Sequence, residues 1–410
     1  MLKILRSFAV CALLLAISNA QDSNSGISLP VTLSGGALYT QRLQVADPAA
    51  SPFAAGVRAA LYPSVKLGSH WFAYGAIDIR LSPYLYYDAY QPEHEWYTNV
   101  IQAFIGYSIR TEKVSFVVKA GQLASAFGSF PLRYDDAQNP LLDQPLSYIQ
   151  TLTLRTDQLP CGVTDLLAQH YGSIRNGCGG APGRVAGLTS VSLYGLPGLE
   201  MDFSGHRLDA RIQITNSSPI NPQPVSLTGE YAQWTAGAGY SVRQGFRVGV
   251  SAFRGPYLSP ILVPLLPMGA TLRSLPATGI GADAQWARGR FSASGEYQHF
   301  QFDSPNLTQA PSLSSTYGEL KTVITPRLFI SGRAGWMNPG GAADSRGGAT
   351  AQLAPNIASY ELGAGSWINR HQLLKGSYEW LNIQGRPGTR LNVLGVQFVT
   401  TFQALDQPFR

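Results

Sequence analysis

Histidines, cysteines and paired charges are the residues here whose types could do chemistry. The six histidines are His70, His94, His170, His206, His299 and His371. No spacing joins them to a serine or carboxylate in a hydrolase pattern, and no nucleophile elbow, phosphate loop or Cys/His zinc motif occurs. His94 lies in Pro92-Glu93-His94-Glu95, which reads either as a metal or proton site or as a solvated loop histidine. An enzyme is therefore not expected, nor a metal or cofactor. Cys161 and Cys178 are the two cysteines beyond the first twenty residues. In an oxidising compartment they would tie one loop as a disulfide; the other reading is two free thiols.

The remaining chemistry is electrostatic. Short runs place opposite charges two apart, as in Asp78/Arg80, Asp209/Arg211 and Glu319/Lys321, or four apart, as in Lys375/Glu379. On a strand such pairs share a face. Arg58, Lys119, Arg247 and Arg333, with Asp283, Glu296 and Glu361, extend that face. The signs nearly balance, so the set suits an aqueous lining without strong charge selection, or pairs that merely satisfy one another on a wall. The stretch 124–185 adds Arg133, Asp135, Asp136, Asp143, Arg155, Asp157 and Asp165. The residues expected to line or constrict a pore are Arg58, Asp78, Arg80, Lys119, Arg133, Asp135, Asp136, Asp209, Arg211 and Arg333.

Strands must position these groups, because the chain alternates with period two. In Leu208-Asp209-Ala210-Arg211-Ile212-Gln213-Ile214-Thr215 every even residue is apolar and every odd one polar, which a strand sorts onto opposite faces. Segments 232–236, 280–287, 291–298 and 328–336 repeat the pattern. Short connections near 111–113, 205–206, 243–245, 288–290, 325–327 and 369–371 alternate with long ones near 81–95, 124–185, 217–229, 255–277, 303–314 and 338–356. Tight turns on one rim and long loops on the other describe a transmembrane barrel. Sixteen strands are expected, near 30–44, 53–65, 69–80, 97–110, 113–122, 186–204, 206–216, 230–242, 245–254, 278–288, 290–302, 315–324, 327–337, 357–369, 371–383 and 389–403; fourteen or eighteen are alternatives. The sixth is interrupted by Gly195-Leu196-Pro197-Gly198, a bend or bulge signal.

Composition agrees. Charged residues make up 13% of the chain and glycine numbers 43, low charge for a soluble domain at roughly 25%. Trp71, Tyr107, Trp234, Tyr240, Trp286, Tyr297, Trp336, Tyr360, Tyr378 and Trp380 fall on the apolar face, as interface aromatics do; a soluble β-sandwich core is the other reading. Residues 1–20, with Lys3, Arg6, an apolar run and Ser18-Asn19-Ala20, read as a secretory signal. Residues 21–410 form one all-β domain, an antiparallel outer-membrane barrel. Removing Lys3 and Arg6 lowers the net charge from +6 to +4, too small and too dispersed for nucleic-acid binding.

Gly121-Gln122-Leu123-Ala124-Ser125-Ala126-Phe127-Gly128-Ser129-Phe130-Pro131, then Asn139-Pro140 and Pro145-Leu146-Ser147-Tyr148, resemble the strand end and inserted-loop start of the phosphate-selective porin group. Architecturally the mature chain is similar to the sixteen-stranded Gram-negative porins. That resemblance implies a homotrimer in outer-membrane lipid and lipopolysaccharide, passive diffusion of small hydrophilic solutes or ions, and a third loop folded into the lumen. A disulfide-tied outer cap is the alternative for that loop. The dense Arg/Lys ladder that phosphate selectivity requires is missing, so anion specificity is not carried over. A closed barrel acting as adhesin or receptor through its loops is the rival function.

Overall fold

The computed structural model describes residues 25–41, 48–49, 51–81, 84, 95–130, 135–149, 152, 154–160, 162–163, 188, 191, 195–216, 232–344, 350–352, 355–384 and 390–408. The expected signal at 1–20 and both cysteines lie outside them. The strands are β1 (Gly26–Thr40), β2 (Phe53–Leu61, continued by Ser64–Leu67), β3 (Trp71–Leu81), β4 (Trp96–Arg110) and β5 (Val114–Leu123). There follow β6 (Leu196–Gly205), β7 (Leu208–Thr215), β8 (Gln233–Arg243), β9 (Phe246–Pro256), β10 (Pro276–Arg288) and β11 (Phe291–Phe302). The last are β12 (Ser312–Val323), β13 (Leu328–Pro339), β14 (Ile357–Trp367), β15 (Gln372–Ile383) and β16 (Arg390–Pro408).

Each strand pairs antiparallel with the next, and β1 pairs with β16 from Gly26↔Pro408 to Thr40↔Val393. The sheet is thus a closed barrel. Its seventeen hydrogen-bonded pieces make sixteen staves, because the two pieces of β2 both lie between β1 and β3. The break falls at Tyr62-Pro63, where proline has no N–H for the ladder. Closure removes the exposed sheet edge that lipid could not satisfy.

Alternation sets the two faces. Leu33, Val57, Ile105, Leu199, Ile212, Val250, Ile280, Ile330, Leu362 and Val396 are exposed outward, while their neighbours Ser34, Arg58, Glu200, Gln213, Arg333, Glu361 and Gln397 are buried inward. Aromatic contacts such as Trp71 against Tyr107 and Trp336 against Tyr360 belong to the outward face. Among the described residues no helix is long and apolar enough to cross a membrane.

One boundary differs from expectation. β6 begins at Leu196, not near 186, so the long connection runs from 124 to 195 instead of 185. Its return limb folds back on its outgoing limb: Leu152 N donates to Leu188 O at 2.6 Å, Leu188 N to Leu154 O at 2.9 Å and Val191 N to Ser147 O at 3.2 Å. Apolar residues of this limb are buried against the loop, a pattern that sequence alternation confuses with a strand. Pro197 stands at the second position of β6 opposite Gln122, a strand start that tolerates proline.

Candidate functional site

The 124–195 connection enters the barrel, and local chemistry explains how. Gly128 turns the chain at φ +78°, and a Cβ there would overlap Tyr148 Oη and Glu296 Oε1. Glycine is the residue that takes this conformation without strain. The turn drives Phe127 into Phe253 and Phe300, ring centroids 5.0 and 5.6 Å apart. It sets Phe130 against Tyr148 at 5.1 Å and Tyr317 at 6.5 Å. Leu146, Tyr148, Leu152, Leu154 and Leu159 of the loop complete a dry core with wall residues Phe302, Leu313, Met337 and Ile357. The inner face of β9 to β14 is therefore apolar where the loop covers it.

Polar contacts fasten the rest of the loop strand by strand. On β7, Gln213 accepts from Ala126 N at 2.9 Å and donates to Ala124 O at 2.6 Å. On β9, Ser251 Oγ accepts from Gly128 N at 3.1 Å. On β11, Glu296 accepts from Ser129 N at 3.0 Å and Tyr148 Oη at 2.9 Å. On β13, Ser331 Oγ donates to Pro140 O, and Arg333 donates to Asp143 O at 2.8 Å and Asn139 Oδ1 at 3.2 Å. On β14, Glu361 Oε1 accepts from Leu142 N and Asp143 N at 3.1 and 3.2 Å. On β15, Lys375 Nζ donates to the carbonyls of Asp136, Asn139 and Leu141 at 2.7, 2.9 and 3.2 Å.

The segment ends against β1 and β2. Asp135 accepts from Thr32 at 3.0 Å and from the Tyr62 hydroxyl. Asp136 accepts from Ser34, from Tyr84 at 3.0 Å and from Arg58 Nη1 at 2.9 Å. Burial opposes ionisation of Asp136, yet Arg58 and Lys375 outweigh it and hold its carboxyl below the usual carboxylate range. Burial, then the Glu296 carboxylate, pushes the Tyr148 phenol well up, so it stays a donor. These contacts satisfy the Asp135 and Asp136 carboxylates and cap the Asp136, Asn139, Pro140, Leu141 and Asp143 carbonyls, as a dry setting demands.

The wall that the loop does not cover keeps water-accessible charges. Lys119 meets Glu200 at 2.6 Å and Asp202 at 2.5 Å, with about a fifth of the Lys119 and Asp202 side chains exposed. Arg247 bridges Asp209 at 2.7 Å and Asp283 at 2.8 Å, and the Asp209 side chain is 41% exposed. Its guanidinium lies against Gly239, where any Cβ would overlap it, and a Cβ at Gly249 would meet Asp283 Oδ2 and then Arg247 Nη1. A cavity of about 640 Å³ at the tight-turn end is lined by Ser241, Arg243, Arg247, Gln285, Ser294 and Glu319 among others.

The expected residues thus divide. Arg58, Asp78, Arg80, Asp135 and Asp136 are buried together where the loop meets β1 to β3, and Arg333 is buried apart from them on β13 beside Glu319 and Asn139. Lys119, Asp209 and Arg211 are partly exposed on the uncovered arc. Arg133, Cys161, Cys178 and His94 lie outside the described residues. Asp78 and Arg80 pair at 2.6 Å as the spacing suggests. The other partners run across strands: Asp209 finds Arg247, and Glu319 finds Arg333 at 2.7 Å. Ser34, Tyr84, Gln213 and Ser251 take part without having been singled out, because short neutral side chains carry no signal in the sequence.

A Ser–His contact does occur, His299 Nδ1 to Ser314 Oγ at 2.9 Å. It lies on the face opposite Glu296 and Gln298. Among the described residues no carboxylate orients the ring's other nitrogen, and none of the described His, Cys, Asp or Glu groups could hold a metal.

No protein-family model matches the chain, and no curated protein matches it in sequence. Solved structures do resemble it. The outer membrane channel DcaP of Acinetobacter baumannii superposes at TM-score 0.56 with 11% identity, over 93% of this chain and 99% of that one. Outer-membrane expressed OmpT of Vibrio cholerae gives 0.54 and 8%, over 93% and 99%. OmpF of Salmonella typhi, in complex with daunomycin, gives 0.52 and 11%, over 93% and 98%. At these identities the likeness is one of fold: this chain has the fold of outer-membrane porin-type barrels.

Proposed function

We propose that the protein is a passive diffusion channel of a bacterial outer membrane, exported by its first twenty residues and narrowed by the loop inside its barrel. The carrying observation is the asymmetry of the lumen. The loop packs with dry contacts against β7 to β15, and an arc nearer the tight turns, on β5 to β9, keeps partly exposed Lys119, Asp202, Arg211, Asp209 and Arg247. Small hydrophilic solutes would pass between the loop and that arc. Lys119, Asp209 and Arg211 would face them, while Arg58, Asp78, Arg80, Asp135, Asp136 and Arg333 would fix the loop's position. Arg133 and a Cys161–Cys178 disulfide would belong to the same loop, and a homotrimer is the assembly that the porin resemblance implies.

A receptor reading draws support from one feature. The β9–β10 loop exposes Ile261, Val263, Leu265 and Met268, an apolar tip suited to a partner. Single-channel recording of the refolded mature chain separates the two. Discrete conductance steps are the expected result; a folded, heat-modifiable barrel that stays silent would overturn the channel and favour the receptor.

A further inference from the structure

The tight-turn rim carries a charge pattern that the lumen does not. Every turn from β6 to β15 bears arginine: Arg207, Arg243, Arg288 with Arg290, Arg327, and Arg370. All six are exposed, and no ion pair engages any of them among the described residues. Arg207 and Arg290 reach only the Val242 and Ile324 carbonyls, at 3.3 and 3.5 Å. The acids among the described residues of this rim are Glu112, flanked by Arg110 and Lys113, and Asp406. Arg58, Arg80, Lys119, Arg247, Arg333 and Lys375 of the barrel wall, by contrast, each have a carboxylate or capped carbonyls beside them. Arg207 and Arg243 also line the 640 Å³ cavity, together with Arg247, Ser292 and Ser294. The unpaired rim charge of Arg207 and Arg243 thus borders the cavity, whose deeper lining holds the paired Arg247 and Glu319.

We infer that this mouth is an anion-gathering vestibule, so that the channel of the previous subsection favours small anionic solutes, carboxylates and phosphates among them. The inference rests on that channel reading. Unpaired charges of one sign around a low-dielectric opening raise the local concentration of counter-ions and set the preference of a wide pore. Neutral pairs deeper in the wall add no opposing field. Because the arginines are exposed, their reach falls with the Debye length, about 30 Å at 0.01 M salt and about 3 Å at 1 M.

The test is the reversal potential of the refolded mature chain in a zwitterionic bilayer, with a gradient from about 0.01 to about 0.1 M KCl, chloride being the probe. A chloride-to-potassium permeability ratio of roughly threefold or more is expected, decaying toward unity near 1 M salt. The triple variant Arg207→Gln, Arg243→Gln, Arg290→Gln should keep its conductance steps and lose the preference. Arg273→Gln, in the β9–β10 loop, should keep both. Intact steps with a ratio at or below one, or a triple variant that retains the preference, would overturn the inference and leave the channel standing. A silent barrel would remove both. A preference that vanishes when anionic phospholipid replaces the zwitterionic bilayer would assign the arginines to headgroups instead and overturn the solute reading.

Discussion

The loop-bearing half of the lumen and the tight-turn mouth are built from the same charged residue types and use them in opposite ways. Under the loop, Arg58, Arg333 and Lys375 are buried, each held by carboxylates or backbone carbonyls at hydrogen-bonding distance. At the mouth, Arg207, Arg243 and Arg290 are exposed and free of ion pairs among the described residues. A buried charge left uncompensated is expensive, whereas an exposed one is hydrated and acts at range. Burial therefore makes a charge structural here, and exposure leaves it available to solute.

The most disruptive test of that division is Lys375→Met. The ammonium caps three loop carbonyls and stands near the buried Asp136 carboxylate, so its removal strands both. Loss of one partner from such a buried network costs about 3–5 kcal/mol. The expected outcome is a lower unfolding midpoint in denaturant together with larger, noisier conductance as the loop leaves the wall. An unchanged conductance would mean that the loop does not limit the pore. Arg207→Gln at the mouth should leave the midpoint where it is.

How far the sequence carried this picture depended on periodicity. Strands such as 208–215 and the first part of 291–302 are legible because their alternation is unbroken there. The sixth strand is not, because the buried return limb of the loop around Leu188 and Val191 has the same apolar content as a strand. Ion pairs were assigned along strands, yet side chains two apart stand roughly 7 Å from one another while cross-strand neighbours stand about 5 Å apart. Hence Glu319 meets its direct neighbour Arg333, and Asp209 meets Arg247 two strands away because the guanidinium reaches across Gly239, which has no side chain in its path. The loop's position was signalled by residues that break the polar inner face: Phe253, Phe300, Phe302 and Tyr317 make sense only if something apolar packs inside the barrel. The arginines of the turns were in plain view, but an inventory of strand faces passes over them.

The middle-sized effect is one of pH. The Asp136 carboxyl is held below its ordinary range by Arg58 and Lys375 against the pull of burial. Its contribution to stability is thus complete above the unfolded pKa of about 3.9 and is lost as pH falls below that toward the lower folded value. The loop should stay seated from neutral pH to about 5 and loosen in stronger acid. Asp136→Asn, which lacks the charge at every pH, should be less stable near neutrality and should flatten that acid dependence. An acid limb equally steep in the variant would place the titrating group elsewhere.

The smallest expected effect lies where the two regimes meet. Asp209 is 41% exposed and shares Arg247 with Asp283. An exposed pair of this kind contributes only about 0.2–1 kcal/mol, so Asp209→Asn should barely move the unfolding midpoint. It should move the permeability ratio, because it removes one of two carboxylates neutralising Arg247 and gives the cavity beside Arg243 more net positive charge. Gly239→Ala acts on the same guanidinium by geometry alone, since a Cβ there overlaps it and must push it off the wall. If both substitutions raise chloride preference while Lys375→Met raises conductance without changing it, stability and selectivity reside in separate halves of one lumen. If Lys375→Met shifts the preference as strongly as Asp209→Asn does, the loop face itself meets the ions, and the division between a structural arc and a conducting arc fails.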